Sequence, residues 1–167
     1  EGPAAVLAAA RQVDLFDRET GRPYDRGIAM LPISDEIRAW NDKAKSIAAP
    51  IVASGGVRSA ADERAAATVD AFGDQVNDWV RSTAGELLDQ NKFVATLGGD
   101  HSVPFGSIQA HADRYPGLGI LHLDAHADLR DRYEGFRWSH ASIFNNVMNQ
   151  IPKVGRLVQV GVRDMGH

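Results

Sequence analysis

An α/β fold, with a mainly parallel sheet and helices on both faces, is what this sequence predicts, and three observations predict it. Three short apolar runs, at residues 93–97, 118–123 and 157–162, read as buried strands. Stretches of helical character separate them, and helices of that length are what parallel crossovers require. Polar loops rich in His and Asp follow the first two runs directly, at 98–102 and 124–128. In open α/β sheets ligands gather at the carboxyl ends of the strands, so two neighbouring strands would deliver both loops to one place.

The elements follow in order. Pro3 in a first turn and the Ala-rich stretch after it predict a helix that ends before Asp17. A turn-rich segment at 20–25 leads to a short apolar run at 27–32, a strand closed by Pro32. Ser34, followed by Asp35 and Glu36, caps a short helix through Trp40 to Lys45, and Pro50 with Gly55 and Gly56 breaks the pattern beyond it. From about Ser59 to Gln90 the chain is helical, with Val69, Phe72, Val76, Trp79 and Val80 making one buried stripe. Gly73 and Gly85 are the places for a kink or break in it. Residues 103–115 form a helix with Pro104 in its first turn, ended by Pro116 and Gly117. After the strand at 118–123 a charged loop runs to Trp138, and Ser139 or Ser142 caps a helix from about Ala141 to Asn149.

Composition narrows the function. The 167 residues and 44% hydrophobic content suit one domain with a real core. A net charge of −4 without a basic run leaves no footprint for nucleic acid or an anionic membrane, and no stretch is long and apolar enough to span one. The absence of cysteine removes disulfides, thiolate metal sites and Cys nucleophiles, and agrees with a cytoplasmic location. All six histidines stand at or after position 101.

The chemistry concentrates in the second loop. Asp124, His126 and Asp128 are spaced i, i+2, i+4, and in an extended backbone they point to one side. Two carboxylates that close raise each other's pKa unless a cation joins them. With His101 arriving from the neighbouring strand, the donors are oxygen and nitrogen without sulfur, which suits Mn²⁺, Fe²⁺, Co²⁺, Ni²⁺ or Zn²⁺. A carboxylate between two imidazoles can also bridge two ions. The alternative is a satisfied polar network at a strand end. His122 shares the parity of Asp124, as a partner behind the metal ligands or as a buried structural His. Asp100 orients His101 or its loop, Gly98 and Gly99 allow close backbone approach or an ordinary turn, His111 lies on an exposed helix surface, and His167 has no assignable role. Asp131 and Glu134 belong to a charged run that reads as a solvated loop.

Gly98-Gly99-Asp100-His101-Ser102, then Asp124-Ala125-His126-Ala127-Asp128 about twenty residues later, then Ser139-His140-Ala141-Ser142, together resemble the arginase/agmatinase (ureohydrolase) family. The opening Glu1-Gly2-Pro3 and its apolar helix resemble the family's first helix, and residues 157–163 its next core strand. The resemblance implies a three-layer α/β/α fold and a binuclear Mn²⁺ centre, with other divalent metals such as Ni²⁺ allowed. That centre activates a bridging hydroxide to attack a guanidinium carbon, releasing urea and an amine. It implies His101 and Asp128 on one metal, His126 on the second, Asp124 bridging them, and His140 as proton shuttle to the leaving amine. The Ser139–Ser142 motif is closer to agmatinase-like members, which implies agmatine or a related guanidino compound, polyamine metabolism, and a homo-oligomer, trimer or hexamer.

A downstream Ser-x-Asp-x-Asp motif and a later substrate-binding Glu of the family have no counterpart, and the family's first strand should precede Glu1. The expectation is therefore a single partial domain over residues 1–167, a piece of a longer protein. The competing readings are a non-catalytic remnant with an incomplete metal site and a zinc-dependent amide-hydrolysing relative, the latter disfavoured by the His126 and Asp128 spacing.

Overall fold

The sheet is parallel and two strands wide in the computed structural model, which describes residues 2–164. Strand β1 (Leu118–Leu123) pairs with β2 (Val154–Val160), and Ile120 stands opposite Leu157, His122 opposite Gln159 and Leu123 opposite Val160. Between them runs α5 (Ile143–Gln150), and before β1 comes α4 (Phe105–Arg114). Both helices cover the sheet face that carries Leu118, Ile120 and Leu157, closing a core of Phe105, Ala112, Ile143, Phe144, Val147, Ile151 and Val154. The odd positions Leu121 and Leu123, with Val158 and Val160, form the opposite, exposed face.

The remaining helices are α1 (Gly2–Ala9), α2 (Asp35–Ala53) and α3 (Ala60–Asp89). Ser34 caps α2 by accepting the N–H of Ile37 at 3.3 Å, and Ser59 caps α3 by accepting that of Asp62 at 3.2 Å. No residue of α1 is buried, and its large apolar side chains, Val6 and Leu7, are exposed. Glu1 and His167 lie outside the described residues.

The structure corrects several of these expectations. Helix α2 does not stop near Lys45 but runs through Pro50 to Ala53. Pro50 removes one backbone bond, and burial of Ile51 against Ala66 and Phe136 offsets that loss. The end comes instead at Gly55, φ +80°, where Gly56 donates to Ile51 O and Gly55 to Val52 O in a Schellman-type cap. The apolar run 27–32 joins no sheet among the described residues.

The seam of α3 is Ala66, Asp70, Asn77, Ala84 and Leu88, while the stripe Val69, Phe72, Val76, Trp79 and Val80 is half-buried beside it. At Asn77 the seam meets α4 backbone to backbone, since a Cβ on Gly106 would strike the Asn77 carbonyl, while Ala66 packs on Ile51 and Phe136 and Asp70 accepts from the backbone of Arg137 and Trp138. Gly73 does not break α3, which is continuous through it, and its missing side chain is the space that Trp138 fills.

Residues 93–97 do not form a buried strand. They form no ladder among the described residues, and Phe93 is 98% exposed. A parallel strand is held by neighbours on its edges, and here only Val94 packs, against Ala84, Leu88 and Ala110. The helix after this run starts at Phe105, two residues later than its sequence signals, and α5 is preceded by a 3₁₀ turn, His140–Ser142.

Candidate metal centre

Asp124 sits where β1 ends. Its N–H still donates to Val160 O at 3.1 Å, and then its own Oδ1 accepts the N–H of His126 at 2.9 Å. That turn, and a left-handed Asp128 at φ +53°, take the chain out of the extended conformation. Asp124, His126 and Asp128 therefore do not share one side of a strand. Asp124 and Asp128 converge, whereas the exposed ring of His126 turns to the other edge of Asp124, its Nδ1 3.3 Å from Oδ1. His126 Nε2 lies 3.6 Å from Asp164 Oδ2, and the backbone bridge between these two residues ties the loop to the end of β2.

His101 comes from a loop rather than from a strand, and its Nδ1 is hydrogen-bonded to Asp128 Oδ2 at 2.7 Å and 3.6 Å from Asp124 Oδ2. Asp100 shapes that loop by accepting the N–H and the hydroxyl of Ser102 on one oxygen. Gly98 is required for contact with the Val103 side chain, and a Cβ on Gly99 would meet nothing. Asp128 is buried, and its carbonyl accepts the N–H of Phe144, which docks the loop on the start of α5.

His122 joins this group. One ligand atom each from His101, His122, Asp124 and Asp128 lies within 4.8 Å of the others, a cluster that could hold a metal ion. His122 is 4% exposed, packs its ring 4.3 Å from that of Phe144, and leaves Nε2 without a hydrogen-bond partner among the described residues. Burial, with His101 nearby, pushes its imidazole pKa down, and the N–H of His126 holds the Asp124 carboxyl below the usual range. The parity of His122 with Asp124 was the available sequence signal. The structure adds Gln159, which nothing in the local sequence singles out, as its partner at 2.9 Å.

His140 stands apart. It is exposed on the 3₁₀ turn, edge-to-face with Tyr133 at 5.2 Å, and no hydrogen bond or ion pair joins it to the carboxylates among the described residues. Its turn is tied down from several sides: Ser142 Oγ and Asn146 Nδ2 donate to Arg137 O, and Ala141 O accepts the N–H of Arg130. Beneath it Asp70 accepts the backbone N–H groups of Arg137 and Trp138, and Asp74 accepts from both their side chains. Neither α3 carboxylate was visible as a site-building residue in the sequence.

The loop 130–134 is more ordered than a solvated run. Tyr133 and Phe136 form a bridge, Phe136 is buried, and Glu134 O accepts the N–H of Val57. Asp131 is exposed beside Arg132. His111 is half-buried rather than exposed, with Nδ1 bonded to Ser107 O.

Carboxylates and imidazoles converging at the end of a parallel strand define an α/β protein with a candidate divalent-metal centre. The arginase family profile matches residues 2–167. The chain belongs to the arginase family. It is 32% identical over 98% of its length to an N(1)-aminopropylagmatine ureohydrolase of Thermus thermophilus, and spans 44% of that relative. Over 44% of its length it is 42% identical to an agmatinase of Bacillus cereus, covering 26% of that protein. Over 41% it is 44% identical to arginase 2 of Arabidopsis thaliana, covering 20% of it. No solved structure matches the chain. Among the described residues no helix is long and apolar enough to cross a membrane.

Proposed function

We propose that this chain carries part of the active site of a metal-dependent ureohydrolase, which converts a linear guanidino compound of agmatine type to urea and an amine. One observation carries the reading: the two oxygens of Asp124 face different imidazoles, Oδ2 toward His101 at 3.6 Å and Oδ1 toward His126 at 3.3 Å. A carboxylate so placed suits a bridge between two ions. The residues fit such a group, since the donors are carboxylate oxygen and imidazole nitrogen without sulfur, and two carboxylates this close favour a cation between them.

In this reading His101 and Asp128 hold one ion, His126 holds the second, and Asp124 lies between. Mn²⁺ is the expected metal and Ni²⁺ a substitute; when bound, the pair supplies Lewis-acid polarisation and a water of lowered pKa. Asp124, kept ionised by the His126 N–H, keeps its negative charge available at neutral pH. His140, exposed on its own turn, is assigned the transfer of a proton to the departing amine nitrogen. The same reading assigns the protein to polyamine metabolism in the cytoplasm as a homo-oligomer, trimer or hexamer, with the chain as one partial domain. The relatives named for agmatine derivatives favour a guanidino amine as substrate.

The test is urea release from agmatine by the Mn²⁺-loaded protein, beside Asp124→Ala. Metal-dependent release that the substitution abolishes supports the proposal. Equal turnover in both sinks it, and metal uptake without any urea release favours a non-catalytic family remnant.

A further inference from the structure

We infer that Gln159 locks His122 in the tautomer with its proton on Nε2, so that His122 positions the Asp124 carboxylate as a buried hydrogen-bond donor and is not a metal ligand. This rests on the metal-dependent reading above for its consequence, but the tautomer follows from hydrogen-bond logic alone.

The sheet register sets the pair. His122 and Gln159 are direct neighbours on adjacent parallel strands, on the face covered by α5. Gln159 Nε2 lies 2.6 Å from the carbonyl oxygen of Ala127 and 2.9 Å from His122 Nδ1. A backbone carbonyl only accepts, so the atom beside Ala127 must be the amide nitrogen; turning the amide over would press two oxygens together. The NH₂ group has two hydrogens. One goes to Ala127 O, and the other points at His122 Nδ1, which must therefore present its lone pair. In a neutral imidazole the single proton then sits on Nε2.

That Nε2–H is buried, has no partner among the described residues, and faces Asp124 Oδ2 at 3.7 Å and Asp128 Oδ2 at 4.0 Å. An N–H has no lone pair for a metal. For His122 to ligate through Nε2, its proton would have to move to Nδ1, opposite the amide N–H of Gln159, donor against donor at 2.9 Å. Of the four groups within 4.8 Å of one another, Asp124 and Asp128 offer lone pairs to an ion, His101 does so once the Nδ1 proton it gives to Asp128 moves to Nε2, and His122 offers a proton to the carboxylates. The 3.7 Å separation is longer than a formed bond. The terminal torsion of an Asp is soft, so a small rotation of Asp124 can close it. Gln159 acts twice here, since its bond to Ala127 also fixes the backbone between His126 and Asp128.

The test begins with ¹⁵N-labelled protein, reading the histidine tautomer by long-range ¹H–¹⁵N correlation, metal-free and again with diamagnetic Zn²⁺. A protonated Nε2 and an unprotonated Nδ1 at His122 in both states support the inference; a protonated Nδ1 or a metal-bound Nε2 overturns it. Mn²⁺ affinity supplies the second readout. His122→Leu is expected to weaken binding by about 10–100-fold, and His122→Gln, which can still place an N–H near the Nε2 position, to recover most of it. Gln159→Glu, which accepts a proton from Nδ1, is expected to reverse the tautomer and weaken Mn²⁺ binding. Wild-type affinity in His122→Leu, or a loss in His122→Gln as large as in His122→Leu, counts against the positioning role. Absence of urea release with the tautomer as stated defeats the ureohydrolase reading and leaves the lock intact.

Discussion

Replacing Asp70 by Ala should loosen the loop that leads to His140, and the structure gives the size of the effect. Asp70, 8% exposed in the α3 seam, uses one oxygen to accept the N–H of Arg137 at 2.9 Å and that of Trp138 at 3.3 Å. Truncation leaves both donors without an acceptor in a packed region. A buried unsatisfied donor costs about 1–3 kcal/mol, and the longer bond belongs at the low end, so the sum is roughly 2–4 kcal/mol. For a domain of this size that lowers Tm by roughly 5–15 °C. Asp70→Asn is the control, because its amide oxygen can keep both bonds. Burial raises the Asp70 pKa, so the ionised carboxyl is disfavoured in the folded state and its contribution falls as pH rises through the folded value. At neutral pH the uncharged Asn should therefore cost less than about 1 kcal/mol. Denaturant unfolding followed by circular dichroism measures both variants. An Asp70→Ala protein as stable as wild type, or an Asp70→Asn protein as damaged as Asp70→Ala, would refute the reasoning.

Other expectations follow from the same contacts. Gly106→Ala pushes a Cβ into the Asn77 carbonyl and should destabilise by about 1–3 kcal/mol in urea unfolding, with Gly85→Ala, whose Cβ meets nothing, as the harmless comparison. Ile143→Ala, at the centre of the α4–α5–sheet core, should cost about 2–5 kcal/mol in the same assay. Lys153 and Arg81 hold the Asp113 carboxyl below its ordinary pKa. Their contribution is therefore present at neutral pH and lost as pH falls below about 4 through the depressed folded value. Asp113→Asn should flatten that part of the stability–pH curve, less so in high salt. Mn²⁺ at a hundredfold excess over its Kd should raise the unfolding free energy by about 2.7 kcal/mol, reversed by chelation, and Asp124→Ala should abolish the gain.

Local chemistry made much of this chain legible in advance. Ser34 was readable as a helix cap because a cap is an interaction across three residues. The apolar run 118–123 was readable as a strand, and the Asp124–Asp128 motif as a candidate ligand loop at its end, because period and charge are properties of adjacent residues. The motifs sufficed for the family, which the match over residues 2–167 bears out.

Tertiary structure decided what depends on partners far along the chain. Helix α2 crosses Pro50 because Ile51 is buried against Phe136, some eighty-five residues away. The α3 seam carries Asn77 where α4 meets it backbone to backbone and Asp70 where it accepts two distant backbone N–H groups, which no helical period reveals. His126 turns away from Asp128 because the Asp124 side chain bends the loop, so the two-residue alternation of an extended strand ends at Leu123. His122 could be read as an inward-facing residue from its own strand, but which ring nitrogen carries the proton is set by Gln159 across the sheet. A tautomer is chosen by the hydrogen-bond partner, and that partner is brought alongside only by the strand register.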